Sequence, residues 1–480
     1  MLRSTLFAVV ACLAAGLSHA DNFPTARGNE PAVSLPGLHA PAVVLRDHDG
    51  VPHVYAFDEH DALFMQGFLQ ANDRLFQLDY LRREASGTLA ELIGQDALPS
   101  DVELRTIGLR RAAERSVAAY SANVQDGLQA YADGVNAWVQ QHPLPIEYGA
   151  LELTQFEPWS ALDSAVIGKA LAFQLSFDLD TDPTLTYLAY QQKLTALNPQ
   201  SGGQLADALF FLDVFRSAPF DPASTVPDAS GPPPARGHGV EHRGVDSKLL
   251  APAAELLRSY RQRLEQVEFM KLTLSRRDRQ IGSNEWAVTG AYTKDGRPLV
   301  ANDPHLSLGL PSNFYDLQLT TRSDGLDAIG SSVAGTPWIV LGQNRHVTWG
   351  ETTTGFDVTD TYQERVVPDP ASPSGLSTVY LGQLEPVLPI PVTFKVNLRV
   401  PGAPNTIVPV PPGNGIPPVV LIVPRRNNGP IVQLDAANGI AISIQYAGFG
   451  PSRELETFRL LNRARNLQDF KAALQYFDFG

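Results

Sequence analysis

The feature that most limits the possible folds of this chain is an abrupt change of sequence character near residue 216. Residues 21–215 carry mainly helical patterns, whereas residues 283–480 carry short apolar runs separated by Gly, Asp and Asn, as strands and turns do. Between them, residues 217–244 have six prolines among their first eighteen positions, a composition typical of an exposed linker. No internal repeat is evident. This order predicts an α+β protein whose two halves are joined by a spacer.

The N-terminal half starts with a predicted β-hairpin and continues in helices. Two short apolar runs, residues 42–45 and 53–56, flank Asp47-His48-Asp49-Gly50, and the glycine of this turn can take a positive φ. Further on, Phe64 and Phe68 begin a series at spacings of four and three, which defines one buried helical face. Helices are predicted over residues 58–81, 111–141 and 162–174.

Downstream of the linker, the sequence predicts one helix and then a series of strands. The helix covers residues 252–274, and a last helix, residues 455–474, follows the strands. Strands are predicted over residues 286–289, 298–301, 314–320, 338–341 and 347–350, and they continue through residues 387–432.

Charge and cysteine content exclude several functional classes. With 37 basic and 51 acidic residues the formal charge is −14, which disfavours nucleic acid as a partner because such a surface repels phosphate. Cys12 is the one cysteine of the sequence, so the chain has no pair of thiols for an internal disulfide. Its stability must come from packing or from a bound metal.

An export signal is expected at the N-terminus. In residues 1–20, Arg3 precedes an apolar stretch, and Ser18-His19-Ala20 places small residues at the spacing of a cleavage site. We therefore expect a thiol-free mature chain that starts at Asp21 and is periplasmic or secreted. Val9-Val10-Ala11-Cys12 leaves lipidation open as an alternative. No other stretch reaches the roughly 18 apolar residues of a membrane span, so no span is predicted.

The common catalytic signatures are missing from the sequence. It contains no Gly-x-Ser-x-Gly elbow, no His-Glu-x-x-His, no phosphate-binding loop and no dinucleotide glycine fingerprint after a strand. Redox chemistry with a cofactor and phosphoryl transfer therefore have no support. A secreted serine hydrolase with a Ser-His-Asp triad is disfavoured because the elbow motif is absent.

The strongest functional signal is a series of short motifs that starts at residue 280. Gln280-Ile281-Gly282-Ser283-Asn284-Glu285-Trp286-Ala287-Val288 lies where helix gives way to strands, and alone it would be an ordinary turn. The motifs that follow it are Asn302-Asp303-Pro304-His305, Gly335-Thr336-Pro337-Trp338, Gly342-Gln343-Asn344, Trp349-Gly350-Glu351-Thr352-Thr353 and Asp357-Val358-Thr359-Asp360. Those that precede it are Arg46-Asp47, Gly50-Val51-Pro52-His53, Ala71-Asn72-Asp73-Arg74-Leu75 and Arg82-Arg83 with Gly87-Thr88-Leu89-Ala90-Glu91.

In this order the motifs resemble the penicillin acylase family of N-terminal-nucleophile hydrolases, over nearly all of residues 21–480. The resemblance implies an α+β fold, the αββα four-layer sandwich of those hydrolases, with a helical α-chain portion and an incomplete C-terminal end. It also implies a precursor that is cut between Gly282 and Ser283 into α and β chains. The α chain would be residues 21–215, the spacer 216–282, and the β-chain portion 283–480.

By this resemblance Ser283 is the nucleophile and its own α-amino group is the base. A serine hydroxyl needs a base at neutral pH, and a free α-amino group has a pKa of about 7.7–8.0. Before cleavage that nitrogen is an amide, so the uncut chain would be an inactive zymogen. Gly282 suits the scissile position because glycine tolerates strained backbone.

The resemblance assigns further residues to the site. His305 is expected to hydrogen-bond Ser283 and orient its amine, with a purely structural histidine as the alternative. The backbone N–H of Thr353 is expected to donate to the oxyanion. The acyl pocket is expected to be lined by Phe173, Leu306 and Trp338.

A structural calcium ion is the expected cofactor. Asp357, Thr359 and Asp360 match the calcium loop of the family, which supplies two carboxylates and a main-chain carbonyl. Asp180 is the nearest candidate for the carboxylate that the α chain contributes. Hard oxygen ligands suit Ca²⁺ rather than zinc. A polar turn without metal is the alternative.

The expected activity is that of an amidohydrolase acting on a small N-acyl amide, such as an acyl-homoserine lactone, a β-lactam side chain or an acylated peptide. The second oxyanion donor of the family, an asparagine, is expected beyond Gly480. We therefore expect residues 1–480 alone to fold poorly and to process or turn over weakly. The alternative function is that of an inactive, truncated family member that only binds a ligand or another chain in the periplasm.

Overall fold

The computed structural model of the protein describes residues 7–8, 23–24, 32–176, 181–217, 250–274, 282–306, 309–352 and 358–478. None of the helices in these ranges is both long enough and apolar enough to cross a lipid bilayer. In chain order the helices are α1 (Glu59–Ser86), α2 (Ala90–Ile93), α3 (Leu98–Ile107), α4 (Leu109–Ala119), α5 (Ala122–Gln141), α6 (Ile146–Ala150), α7 (Ala161–Ser176), α8 (Thr181–Leu197), α9 (Gly202–Ser217), α10 (Leu250–Leu264), α11 (Glu268–Leu274), α12 (Glu454–Arg463) and α13 (Leu467–Leu474).

The strands lie mainly in the C-terminal half. In chain order they are β1 (Phe7–Ala8), β2 (Val43–Arg46), β3 (Pro52–Ala56), β4 (Gly282–Val288), β5 (Leu299–His305), β6 (Phe314–Thr321), β7 (Asp327–Val333), β8 (Leu341–Asn344), β9 (Thr348–Trp349), β10 (Thr359–Pro368), β11 (Leu376–Tyr380), β12 (Gln383–Pro386), β13 (Leu388–Pro391), β14 (Phe394–Asn397), β15 (Ile407–Val410), β16 (Val419–Val423), β17 (Gly429–Asp435) and β18 (Ile440–Tyr446).

Strand pairing joins the two halves of the chain. One seven-stranded sheet has the order β1-β2-β3-β6-β7-β8-β9, and a second has the order β12-β11-β10-β18-β17-β16-β13. In the first sheet β3 runs parallel to β6, with Val54 opposite Leu319. That sheet therefore contains strands from both sides of the linker, so neither half completes it alone.

Helix α1 has well-defined ends. Asp58 precedes it in extended conformation, and its carboxylate accepts the N–H of Asp61 at 2.9 Å, which caps the first turn. Gly87 follows it with a φ of 67°, a conformation that glycine adopts without steric cost. Between these ends α1 buries Phe64, Leu75 and other apolar side chains against its neighbours.

The backbones of α1 and α5 touch where two glycines meet the other helix. A Cβ on Gly67 would lie 2.1 Å from the carbonyl oxygen of Tyr131, and a Cβ on Gly134 would lie 1.9 Å from that of Phe64. No side chain fits at either position without separating the helices. The distance between α1 and α5 therefore depends on these two residues.

Buried amides of α1 hold the loop between β7 and β8. Gln66 and Gln70 are fully buried. The Gln66 side-chain oxygen accepts the N–H of Trp338 at 3.0 Å, and that of Gln70 accepts the N–H of Gly335 at 2.9 Å. Because a buried amide is costly without partners, these bonds fix the loop against α1. The Gly335-Thr336-Pro337-Trp338 motif thus has a packing role.

The structure confirms several predicted elements and corrects others. The hairpin, the helix after it, the strand over residues 314–320 and the helix over 162–174 match β2–β3, α1, β6 and α7. The predicted strand over residues 338–341 is wrong before Leu341, because Trp338 has a φ of 65° and its N–H donates to α1.

Three predicted long helices are each two helices. Residues 111–141 are divided between α4 and α5 because Tyr120 is extended, and residues 455–474 between α12 and α13 because Ala464 is extended. Residues 252–274 are likewise divided between α10 and α11. The apolar spacing continues across each break, so the pattern alone did not reveal it.

Two helices inside the predicted spacer, residues 216–282, pack into the core. On α10 the Tyr260 hydroxyl donates to Glu103 at 2.7 Å, and Arg263 donates to the carbonyl of Val432 at 3.0 Å. Leu257 and Met270 are buried. Residues 250–274 are therefore part of the packed protein, while residues 218–249 of the predicted linker lie outside the described residues.

Replacing Gly67 by Ala should lower the free energy of unfolding by about 1–3 kcal/mol, because the new methyl overlaps the backbone of α5. Gly149→Ala on α6 is the matched control, since a Cβ there meets nothing within 4 Å. We expect this control to be neutral or slightly stabilising. Urea unfolding of both variants checks the prediction, and equal stability of Gly67→Ala and Gly149→Ala would contradict it.

Candidate active site

Ser283 lies near the start of β4, in a two-stranded ribbon with β5. The register places Ser283 opposite Pro304 and Gly282 opposite His305. Because successive residues of a strand point to opposite faces and paired residues share a face, Ser283, Glu285 and Pro304 lie on the same side of the ribbon. The Gly282–Ser283 bond is at the very beginning of this strand.

That side of the ribbon borders a cavity of about 370 Å³. Its walls come from α7, from β6 to β9, from the segment after β9 and from the C-terminal helices α12 and α13. Most of its lining is apolar and includes Leu171, Leu175, Leu306, Trp349, Phe458 and Leu461. Ser283, Glu285, Glu351 and Thr352 are among its polar members. Ser283 and an apolar chamber are thus adjacent.

Asn302 fastens the segment after β9 to the ribbon. Its amide oxygen accepts the N–H of Glu351 at 3.1 Å, and its amide nitrogen donates to the carbonyls of Glu351 at 2.9 Å and Asn284 at 3.1 Å. A Cβ on Gly350 would lie 2.7 Å from the Cβ of Asn302, so this close approach needs glycine. The Thr352 hydroxyl then donates to the carbonyl of Ser283 at 2.9 Å.

A carboxyl group with a raised pKa lines the same cavity as Ser283. Burial, reinforced by the negative charge of Glu285, raises the pKa of Glu351 from 4.5 to about 8. No hydrogen bond to the Glu351 carboxyl is found among the described residues. At neutral pH this side chain is therefore mainly the uncharged acid, which suits an apolar cavity and can donate a proton.

His305 lies on the other face of the ribbon. Its Nε2 contacts the Asp303 carboxylate at 3.0 Å and the Asn284 amide at 3.3 Å, both on the face away from Ser283. The expected contact between His305 and Ser283 is not among the contacts of the described residues. A catalytic role for His305 stays a prediction.

Other predicted site residues fall in different places. Thr353, Asp357 and Asp180 lie outside the described residues. Thr359 and Asp360 begin β10, where Asp360 is exposed and its carboxylate accepts the Tyr362 hydroxyl at 3.1 Å.

Of the three predicted pocket residues, Leu306 lines the cavity but Phe173 and Trp338 do not. Both are fully buried in the core instead: Phe173 packs edge-to-face on Tyr446, and Trp338 packs over Gly127. The prediction was wrong for these two because an apolar side chain gives the same sequence signal in a core and in a cavity wall.

Four residues of the site, Asn302, Glu285, Glu351 and Thr352, had no role predicted from the sequence. All four stand within the motifs that carry the family resemblance, near residues that were given roles. The sequence does contain one indication of a role for Glu351, because a charged residue stands between Gly350 and Thr352 in a motif that leads into the site. The Asn302 contacts could not be foreseen because they join positions 49 residues apart.

The raised pKa of Glu351 predicts a specific dependence of stability on pH. The folded state keeps this proton up to a pH of about 8, whereas the unfolded chain loses it near pH 4.5, so stability falls as pH rises between these values. Glu351→Gln should remove this loss, and its advantage over the wild type should grow from pH 5 to pH 8. Urea unfolding at both pH values measures the difference.

Glu147→Gln, at an exposed carboxyl on α6, is the control and should follow the wild type. If the free energy of unfolding changed with pH equally in Glu351→Gln and wild type, the proton on Glu351 would make no contribution to the pH dependence of stability.

Comparisons with known proteins show the family of the chain. The chain is 32% identical to penicillin acylase 2 proenzyme of Pseudomonas sp. (strain SE83) over 361 residues, or 74% of this chain and 41% of that protein. It is 30% identical to acyl-homoserine lactone acylase QuiP of Pseudomonas aeruginosa over 359 residues, or 72% of this chain and 37% of that protein. It therefore spans less than half the length of these curated relatives.

Among solved structures, the thermostable penicillin G acylase from Alcaligenes faecalis in tetragonal form is 30% identical, with a TM-score of 0.31 over 41% of this chain and 98% of that chain. The family described as penicillin amidase matches residues 41–480. This match, together with the mixed helices and sheets, confirms the N-terminal-nucleophile hydrolase fold class predicted from the motifs. The chain belongs to the penicillin amidase family.

Proposed function

We propose that this chain carries the nucleophile and acyl-group cavity of an acylase, an amidohydrolase that cleaves linear amide bonds. The observation that carries the proposal is the position of Ser283, which faces an apolar cavity of about 370 Å³. Ligand cavities usually measure about 300–1,000 Å³ and are mainly apolar. The relatives named penicillin acylase and acyl-homoserine lactone acylase support the same reaction class.

In the proposed reaction, the Oγ of Ser283 attacks the carbonyl carbon of the amide. The C–N bond breaks, an ester forms on the serine, and the amine leaves with the proton that came from the hydroxyl. Water then hydrolyses the ester, which releases the carboxylic acid and restores the hydroxyl. The α-amino group of Ser283 is the proposed base, with a pKa of about 7.7–8.0.

That base exists only after the Gly282–Ser283 bond is cut, so we propose that the chain processes itself. The Ser283 hydroxyl attacks the Gly282 carbonyl, the acyl group moves from nitrogen to oxygen, and water hydrolyses the resulting ester. The hydrogen bond from Thr352 to the Ser283 carbonyl supports this step because it holds the residue on the far side of the scissile bond. The backbone N–H of Thr353, the next residue, is the proposed oxyanion donor.

The substrate is proposed to be an N-acyl amide with an apolar acyl group, such as an acyl-homoserine lactone or a β-lactam with an acylated side chain. The largely apolar walls of the cavity support an apolar acyl group. Release of free amine from both substrate types, over a range of acyl lengths, separates a quorum-quenching role from a β-lactam role. The export signal expected from the sequence would place this activity in the periplasm or outside the cell.

Ser283→Ala should abolish both chain cutting and amine release. Without the hydroxyl, neither the Gly282 carbonyl nor a substrate amide has a nucleophile to react with. On a denaturing gel, wild type should give two shorter bands beside uncut precursor, since processing of residues 1–480 is expected to be weak, and Ser283→Ala should give the full-length band alone. Ser201→Ala, at an exposed position between α8 and α9, should behave as wild type. Cutting of Ser283→Ala would place the nucleophile elsewhere.

Calcium is proposed to bind at Asp357, Thr359 and Asp360, with Asp180 from the α-chain portion. Among the described residues the exposed Asp360 carboxylate has one polar contact, the Tyr362 hydroxyl, so it keeps the capacity to bind a hard cation.

If this site exists, Ca²⁺ should raise the Tm of the chelator-treated protein, because it binds the folded state alone. Asp360→Asn should reduce this rise by weakening the site, whereas Asp126→Asn on the exposed side of α5 should not. Thermal unfolding with and without Ca²⁺ measures the effect. An unchanged Tm on adding Ca²⁺ to the wild type would remove the site from the proposal.

A further inference from the structure

Two histidines and two aspartates meet at the N-terminal end of α1, away from the cavity. His39 comes from the segment before β2, while Asp58, His60 and Asp61 come from the start of the helix. One ligand atom of each residue, a ring nitrogen or a carboxylate oxygen, lies within 4.8 Å of the corresponding atoms of the other three. The proposed reaction uses none of these four residues.

We propose that His39, Asp58, His60 and Asp61 bind one divalent transition-metal ion, with Zn²⁺ the expected metal. Two imidazole nitrogens and two carboxylate oxygens are a donor set that Zn²⁺ accepts, whereas Ca²⁺ and Mg²⁺ prefer oxygen ligands alone. This site is separate from the oxygen-ligand calcium site proposed at β10.

The distances fit a tetrahedral ion. Zn²⁺ bonds of about 2.0–2.1 Å at tetrahedral angles separate neighbouring ligand atoms by about 3.3 Å. The His39 Nδ1 lies 3.1 Å from Asp58 Oδ2, and the His60 Nδ1 lies 3.2 Å from Asp61 Oδ1. All four ligand atoms lie within 4.8 Å of one another, and His39, whose side chain is 57% exposed, can rotate to shorten its own distances to the other three.

The backbone around the site is already held in place. Both oxygens of Asp61, which is fully buried, accept main-chain N–H groups, from His39 at 2.8 Å and from Ala40 at 3.0 Å. The two imidazole rings stack at 3.9 Å between centroids. A carboxylate has about four lone-pair positions, so Asp61 can still bind a metal. The His39 main chain and the Asp61 carboxylate are thus fixed before binding and lose less entropy when the ion arrives, while the His39 ring turns out of the stack so that a nitrogen of each ring reaches the ion.

Charge at the site also favours a cation. With neutral imidazoles, the two carboxylates give this cluster a formal charge of −2, which a divalent ion neutralises. Three of the four side chains have some access to solvent, so an ion can enter from the surface. A bound metal would cross-link the segment before β2 to the start of α1. It would do so in a chain whose one cysteine cannot form an internal disulfide.

The test uses the untagged full chain after treatment with a chelator. Zn²⁺ competition with a chromophoric indicator should give one ion per chain and a higher Tm, and Co²⁺ should give the strong visible absorption of a tetrahedral site. His39→Ala and His60→Ala should each weaken Zn²⁺ binding at least about tenfold. Far-UV circular dichroism checks that the variants are folded.

His48→Ala is the matched control, because His48 also contacts a carboxylate, Asp49 at 3.0 Å, but belongs to no group of three or more possible metal ligands within the described part of the chain. We expect this variant to bind Zn²⁺ as the wild type does. The proposal is overturned if the wild type binds no Zn²⁺, if folded His39→Ala binds it as tightly as the wild type, or if His48→Ala loses binding equally. His39→Ala, at the most exposed of the four side chains, keeps the test valid should His60→Ala unfold.

Discussion

The rest of the structure depends on the contact between the buried amides of α1 and the loop between β7 and β8. Gln66 and Gln70 cannot remain buried without partners, and Trp338 and Gly335 supply them across the linker. A helix of the first half thus sets the position of a loop in the second. Glu59, at the start of α1, adds a bond from the Trp338 indole at 2.9 Å. The halves are therefore interdependent parts of one fold.

Ser283, the proposed nucleophile, is positioned through this same contact. The loop leads into β8 and β9, and the Trp349 indole at the end of β9 donates to the carbonyl of Val340 at 2.9 Å. Gly350 then allows Asn302 to reach the Glu351 backbone, and Asn302 belongs to the strand that pairs with Ser283. The site is built from short, directional polar contacts, while its cavity is apolar. Polar contacts therefore set the position of Ser283, whereas apolar side chains form the cavity beside it.

The sequence predicted most of the local structure and the general place of the site. The hairpin before α1, α1 itself and the strand that starts at Phe314 followed from apolar spacing, and the family followed from motif order. The face of the ribbon on which each side chain lies could not be predicted from the sequence. The register of the paired strands decides whether His305 lies on the same face as Ser283. Core and cavity residues were also confused, as Phe173 shows, because burial in either place needs the same apolar side chain.

The packing of α10 has a consequence for a processed molecule. Tyr260 and Arg263 tie α10, which precedes the proposed cleavage point, to Glu103 and to the strand that contains Val432. The parallel pairing of β3 with β6 ties the first hairpin to the other side of the same point. A hydrolysed Gly282–Ser283 bond would therefore leave the hydrodynamic size of the native particle unchanged. The two polypeptides would separate only when the fold itself is lost, so the cut chain would be a non-covalent heterodimer from the moment it forms.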